Sequence, residues 1–255
     1  MTLHNLKRGP EGCAASAPSY AALTREDPNP LKRAVQGRRL ADALRLARDL
    51  SPAMIVDYGG GDGALCRSAA LVWPQAEFLC FEPAPQLADQ ARALLADTPR
   101  ARVVEDEASL ASASADLLFC TEVFEHLPGA ETARALDEIE RILKPGGTAI
   151  IGVPVEIGPP ALAKGLFRTL RRPGDFDARP GVILQALAGR APGPRPLEAI
   201  SPGRAYFPHH AGFDHRALVS QVAERFQVGH RAGSPFPALP AWLNSELYVR
   251  VTRAA

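Results

Sequence analysis

Apolar residues fall along this chain in short runs that alternate with longer segments of helical spacing. From residue 54, "MIVDY" is an apolar run ending in glycines, and "ALCRSAALVW" carries a helical pattern as far as Pro74. "EFLCFEP", residues 77 to 83, and "PQLADQARALLA" repeat the scheme; "ARVVED" and "ADLLFCTE" are the third and fourth runs. "GAETARALDEIERILKPGG" has the period of an amphipathic helix stopped by Pro145 and two glycines, and "TAIIGVP" predicts a fifth strand. Strands alternating with helices at this spacing imply parallel strands joined by right-handed crossovers. The pattern therefore predicts an α/β protein with an open, doubly wound sheet.

On the amino-terminal side, "NPLKRAVQGRRLADALRLARDL" predicts a helix with Pro30 in its first turn and Gly37 as a point where it splits in two. Residues 1–30 show no sustained period and read as an irregular arm, part of which folds over the active site. Downstream, residues 155–205 hold eight prolines around short helical pieces, "PALAKGLFRTLRR" and "GVILQALAG". We read 155–213 as an insertion covering the carboxyl ends of the strands, following a core at 31–154. Over 214–255, the helix "DHRALVSQVAERF" and the runs "QVGHRAGSPF" and "SELYVRVTR" complete that core, the runs as a terminal antiparallel hairpin that brings the sheet to about seven strands.

Charge narrows the partners. Lys and Arg total 29 against 28 Asp and Glu, so no global field favours nucleic acid. Cys13, Cys66, Cys80 and Cys120 are scattered without a paired motif, which suits reduced, buried thiols in the cytoplasm rather than a disulfide framework or a zinc site. No segment has the pattern of a signal peptide or a membrane span. A homo-oligomer is compatible with all of this.

The chemistry is concentrated in "DYGGGDG", residues 57–63, where the first strand turns into the first helix and where doubly wound sheets bind ligands. Gly59, Gly61 and Gly63 let the backbone approach a ligand closely. A dinucleotide loop carries a pyrophosphate, which Asp57 and Asp62 would repel; an acidic loop suits a ligand with a cationic group. Glu82, at the end of the second strand, is placed to accept hydrogen bonds from both hydroxyls of a ribose.

With these features in order, residues 52–154, and more weakly 206–253, resemble the class I S-adenosylmethionine-dependent methyltransferases. The resemblance implies a Rossmann-like sheet and S-adenosyl-L-methionine as cofactor. It implies that Asp57, Gly59 and Gly61 contact the methionyl part and that Glu82 holds the ribose. Asp106 in "VVEDEASL", with Glu105 or Glu107 one residue to either side, would reach the adenine amino group. "DLLFCTEVFEHLP" would place Glu122, Val123 and His126 beside the cofactor.

Methyl transfer to a hydroxyl calls for a base near neutral pKa, and histidine is the side chain that supplies one. The candidates are His126 and, in "YFPHHAGFDH", His210 and His209. A metal held by His209, His210, Asp214 and His215 has unconvincing spacing, and no metal is assigned. "RTLRR" reads as a solvated helix face, and Phe236 and Trp242 as packing of the terminal hairpin. The insertion and the balanced charge favour a small-molecule or glycan acceptor. The late segments resemble bacterial proteins that modify polysaccharides or secondary metabolites. A catalytically silent methyltransferase-like module and a nicotinamide-dependent oxidoreductase are the alternatives, the second opposed by Asp57 and Asp62.

Overall fold

The computed structural model describes residues 30–201 and 204–255. The expected amino-terminal arm and Cys13 lie outside the described residues. Helix α1 (Pro30–Arg45) leads into β1 (Met54–Tyr58), α2 (Ala64–Val72), β2 (Glu77–Phe81), α3 (Pro85–Leu95), β3 (Ala101–Val104), β4 (Ala115–Thr121), α4 (Gly129–Ile142) and β5 (Leu143–Pro154). There follow α5 (Pro159–Arg171), α6 (Pro180–Leu187), a hairpin of β6 (Glu198–Ser201) and β7 (Arg204–Tyr206), then α7 (His215–Arg225), β8 (Gln227–Ser234) and β9 (Glu246–Thr252). The main sheet has seven strands in the order β3-β2-β1-β4-β5-β9-β8. β1 to β5 pair in parallel, and β9 is antiparallel to both β5 and β8.

The central strands β1 and β4 are buried along almost their whole length because both faces of the sheet are covered there, whereas the edge strand β8 is largely polar and exposed over its first half. Leu117 and Phe119 of β4 face Ala43 and Leu44 of α1, Leu65 and Ala69 of α2, and Leu95 of α3. Leu118 and Cys120, one residue out of phase, face Leu136 and Ile139 of α4 and Leu218 and Val222 of α7. Cys66, Cys80 and Cys120 are buried free thiols. Among the described residues no helix is long and apolar enough to cross a membrane.

Three local readings change. Helix α1 runs unbroken through Gly37, since one helical glycine costs only about 1 kcal/mol. Strand β5 begins at Leu143, before Pro145, because the pairing with β4 shifts register between Ala115 and Leu117 and leaves room for the Pro-Gly-Gly stretch. A side chain at Gly147 would lie 2.8 Å from the Lys144 carbonyl oxygen. Phe236 and Trp242 are only half-buried in the loop of the terminal hairpin, at 58% and 54% exposed.

The third change concerns Arg168, which is not on a solvated face. With Lys164 it clasps the buried carboxylate of Glu156, just past β5, at 2.8 and 2.9 Å. Burial alone would raise this carboxyl; Arg168 and Lys164 hold it down at about 2. Arg168 and Arg172 also each lie 3.2 Å from Asp177, so α5 is tied to the following turn.

Truncating Phe119, fully buried beside Trp73, leaves a cavity in the centre of the sheet. Phe119→Ala is expected to lower unfolding free energy by about 3–5 kcal/mol in urea titration.

Candidate active site

The strand order reverses between β1 and β4, and a cavity of about 290 Å³ opens at the carboxyl ends of these strands. Its floor is the glycine loop. The amides of Gly59 and Gly60 both donate to the Phe81 carbonyl, at 2.8 and 2.9 Å, which ties the loop to the end of β2. Gly59 has φ of 76°, and a side chain there would lie 2.4 Å from Val123. At Gly61 (φ 57°) the corresponding position is open space, so the backbone itself borders the cavity.

Glu82 is clasped by two backbone donors, Gly61 N–H to Oε2 and Ala84 N–H to Oε1, both at 2.9 Å. Each oxygen keeps a lone pair for another donor. Burial still pushes this carboxyl up to about 7. Asp57 is 1% exposed, and its Oδ2 has no hydrogen-bond partner. Burial, with the charges of Glu82 and Asp62 adding to it, raises Asp57 to about 7. Asp62 accepts the Ala64 N–H at 3.2 Å and so starts α2.

On the β3 side, Glu107 lines the cavity, accepting hydrogen bonds from the Tyr58 hydroxyl and Arg134. On the α1 side, Arg39 donates to Glu122 at 3.1 Å and also bonds Glu246. Burial would raise Glu122, but the Arg39 guanidinium holds it below the usual carboxylate range.

The far wall comes from the segment after β4 and from the insertion. His126 ends a single helical turn, Phe124–His126, and its Nδ1 lies 2.8 Å from the Phe207 carbonyl oxygen. That contact makes Nδ1 the protonated nitrogen and leaves a lone pair on Nε2. The His210 ring stands edge-on to it, 4.8 Å between centroids, with Tyr206 alongside. Burial lowers His126 to about 4 and His210 well below its ordinary value, so both are neutral at pH 7.

Residues 56–151 match the family model described as a methyltransferase domain. Over those residues, just over a third of the chain, it is similar to the class I S-adenosylmethionine-dependent methyltransferases. The fold is shared with the N-methyltransferase NodS from Bradyrhizobium japonicum, crystallised with S-adenosylhomocysteine (16% identity, 91% of each chain, TM-score 0.55). An O-methyltransferase family protein from Burkholderia thailandensis is similar over 92% of this chain and 64% of its own (14% identity, TM-score 0.58). The mitomycin 7-O-methyltransferase MmcR is similar over 92% of this chain and 61% of its own (22% identity, TM-score 0.54).

The cofactor of this class is S-adenosylmethionine, and the residues present fit it. The unpartnered Asp57 oxygen suits a cationic donor, the clasped Glu82 suits ribose hydroxyls, and the side-chain-free Gly61 leaves room for both.

This cavity brings together Asp57, Gly59, Gly61, Glu82, Glu122, His126 and His210. Three expected residues lie elsewhere. Gly63 caps α2, where a side chain would press on Leu95 of α3 at 3.0 Å. Asp106 is exposed and accepts the Ala108 N–H at 3.0 Å, so Glu107 borders the cavity in its place. His209 turns away from the cavity, its Nδ1 3.4 Å from Asp177. Sequence reading passed over Arg39, Tyr58, Arg134 and Tyr206. Tyr58 follows Asp57 directly and had a local signal; the other three reach the cavity only through tertiary packing.

Two acids near pKa 7 couple cofactor binding to protons. At about pH 6 both are largely protonated, and a ligand that donates hydrogen bonds favours their ionised forms. Calorimetry of S-adenosylhomocysteine in buffers of different ionisation enthalpy is expected to show proton release near pH 6 that fades by about pH 8–9, with affinity rising over the same interval. Glu82→Gln is expected to remove part of that release.

Proposed function

We propose that this methyltransferase methylates a hydroxyl of a small molecule or glycan, in the modification of a polysaccharide or secondary metabolite. The observation that carries the reading is the division of the cavity. An acidic, glycine-floored end suits the cofactor, and a neutral imidazole wall built partly from the insertion faces it. Bound at the first end, S-adenosylmethionine supplies an electrophilic methyl group on a sulfonium.

The residues of this chain do the rest. Asp57, Glu82 and Glu122 hold the cofactor's donors, while Glu107, rather than Asp106, is the acid on the adenine side. An acceptor hydroxyl sheds its proton as its oxygen is methylated, and His126 and His210 bring lone pairs to that place, although burial makes both weaker bases than the near-neutral one expected from sequence. Tyr206 and the β6–β7 hairpin, with the rest of residues 155–213, enclose the acceptor. The buried thiols suit a reducing cytoplasm, and the balanced charge suits an acceptor other than nucleic acid. A nicotinamide cofactor would set its pyrophosphate against the Asp57 carboxylate, one oxygen of which has no partner, so the oxidoreductase alternative is disfavoured.

The test is a panel of alcohols, sugars and amines incubated with cofactor labelled in its methyl group. A hydroxyl product is expected. His126→Ala is expected to lower single-turnover methylation by about 100-fold or more while S-adenosylhomocysteine affinity stays unchanged. Undiminished turnover at saturating acceptor would remove His126 from this role. Label transfer to amines alone would overturn O-methylation.

A further inference from the structure

We propose that Glu125, His126 and His210 form a binding site for a first-row divalent metal ion at the imidazole wall of the cavity. Glu125 is fully buried in the turn after β4, and neither of its carboxylate oxygens has a hydrogen-bond partner. The His210 Nε2 is also buried without a partner. The His126 Nε2 lies 3.9 Å from Glu125 Oε1. One ligand atom from each of the three residues lies within 4.8 Å of the other two.

Donors bound to one ion at about 2.1 Å stand roughly 3–4 Å apart, so closing on an ion asks for shifts of about an ångström or less. The ring of His126 is already set for this. Its Nδ1–H is held by the Phe207 carbonyl at 2.8 Å, the outer contact that fixes the orientation of a metal-bound imidazole. Two imidazoles and one carboxylate with further positions open suit manganese, iron, cobalt or zinc better than calcium or magnesium.

No neighbouring side chain donates a hydrogen bond to the Glu125 carboxylate, although the Arg195 guanidinium is near enough to attract it. Arg195 spends one nitrogen on the backbone carbonyls of Glu125 and His209, at 2.5 and 2.6 Å. Glu122 is taken by Arg39, and Glu156 by Lys164 and Arg168. A proton on Glu125 would serve one oxygen, whereas an ion satisfies all three residues together. The other groupings of ligating side chains differ. His209 and Asp177 sit against Arg168 and Arg172, and Asp57 with Cys66 and Cys80 borders the cofactor end. Of the four residues weighed from sequence only His210 takes part; Asp214 caps α7 instead.

What such an ion does rests on the methyl-transfer reading. It would bind the acceptor's oxygen and acidify its hydroxyl, whose O–H bond breaks with the pair kept by oxygen and the proton passing to water. The two imidazoles then act on the acceptor through the ion. The site itself is independent of that role.

The experiment is titration of chelator-treated full-length protein with Co²⁺, followed by calorimetry and by the ligand-field absorption of the ion, and repeated with Mn²⁺ by electron paramagnetic resonance. One ion per chain is expected, with affinity reduced about 100-fold or more in Glu125→Gln and in His210→Asn. S-adenosylhomocysteine affinity, measured on every sample, is expected to stay within a few-fold of wild type and reports folding and the cofactor reading separately. Wild-type protein that binds S-adenosylhomocysteine but neither ion overturns the proposal, as does ion binding unaffected by both substitutions.

Discussion

Burying an ionised carboxylate costs several kcal/mol unless a counter-charge or a set of donors goes with it. The carboxyl ends of this sheet bury several, and the protein treats them unequally. Glu156 receives two cations and becomes part of the scaffold. Glu122 and Glu246 share Arg39, and Glu246 also lies 3.9 Å from Lys164. Glu82 receives only backbone amides, and one oxygen of Asp57 receives no partner. Where the compensation is fullest, at Glu156, the acid is structural; where it is withheld, at Asp57 and Glu82, the acid is poised for something from outside. The cavity follows from that distribution, with Asp57 and Glu82 lining one end and Glu125 buried behind the imidazole wall at the other.

The structural acids also locate the functional ones. Glu156 anchors Arg168, Arg168 meets Asp177, and Asp177 meets His209. The next residue, His210, is thereby presented on the opposite side, toward His126. An insertion rich in proline and poor in regular pairing thus gains a rigid spine from a chain of ion pairs running from β5 to the cavity wall. Those pairs are buried, so bulk salt screens them less than it would a surface pair.

Much of this was legible along the chain, for a specific reason. Short apolar runs ending in an acid and a turn are local signals, and β1, β2 and β4 each end that way, at Asp57–Tyr58, Phe81–Glu82 and Thr121–Glu122. What stayed hidden was decided by contacts between distant segments. The acid after β3 could not be fixed to one residue, because the shorter Asp106 side chain is spent on its own turn and the longer Glu107 is held toward the cavity by Tyr58 and Arg134. His209 and His210 are adjacent and chemically alike; only the position of Asp177, more than thirty residues earlier, separates their roles. Arg39 sits on a helix whose apolar spacing is ordinary, and nothing nearby in sequence marks its reach to Glu122. The β6–β7 hairpin is too short for an alternating pattern to register against its prolines.

Arg39 has one further consequence. It joins Glu122, in the turn after the central strand β4, to Glu246 at the start of β9, and it comes from the first helix described. β9 itself lies inside the sheet, between β5 and β8. On a ribosome the parallel half of the sheet would emerge long before this strand, with the Arg39 contact incomplete and β5 still an open edge. The cavity therefore takes its final electrostatic form only when β9 slots in, so that a chain caught midway through synthesis has the cradle for a cofactor but not the finished pocket.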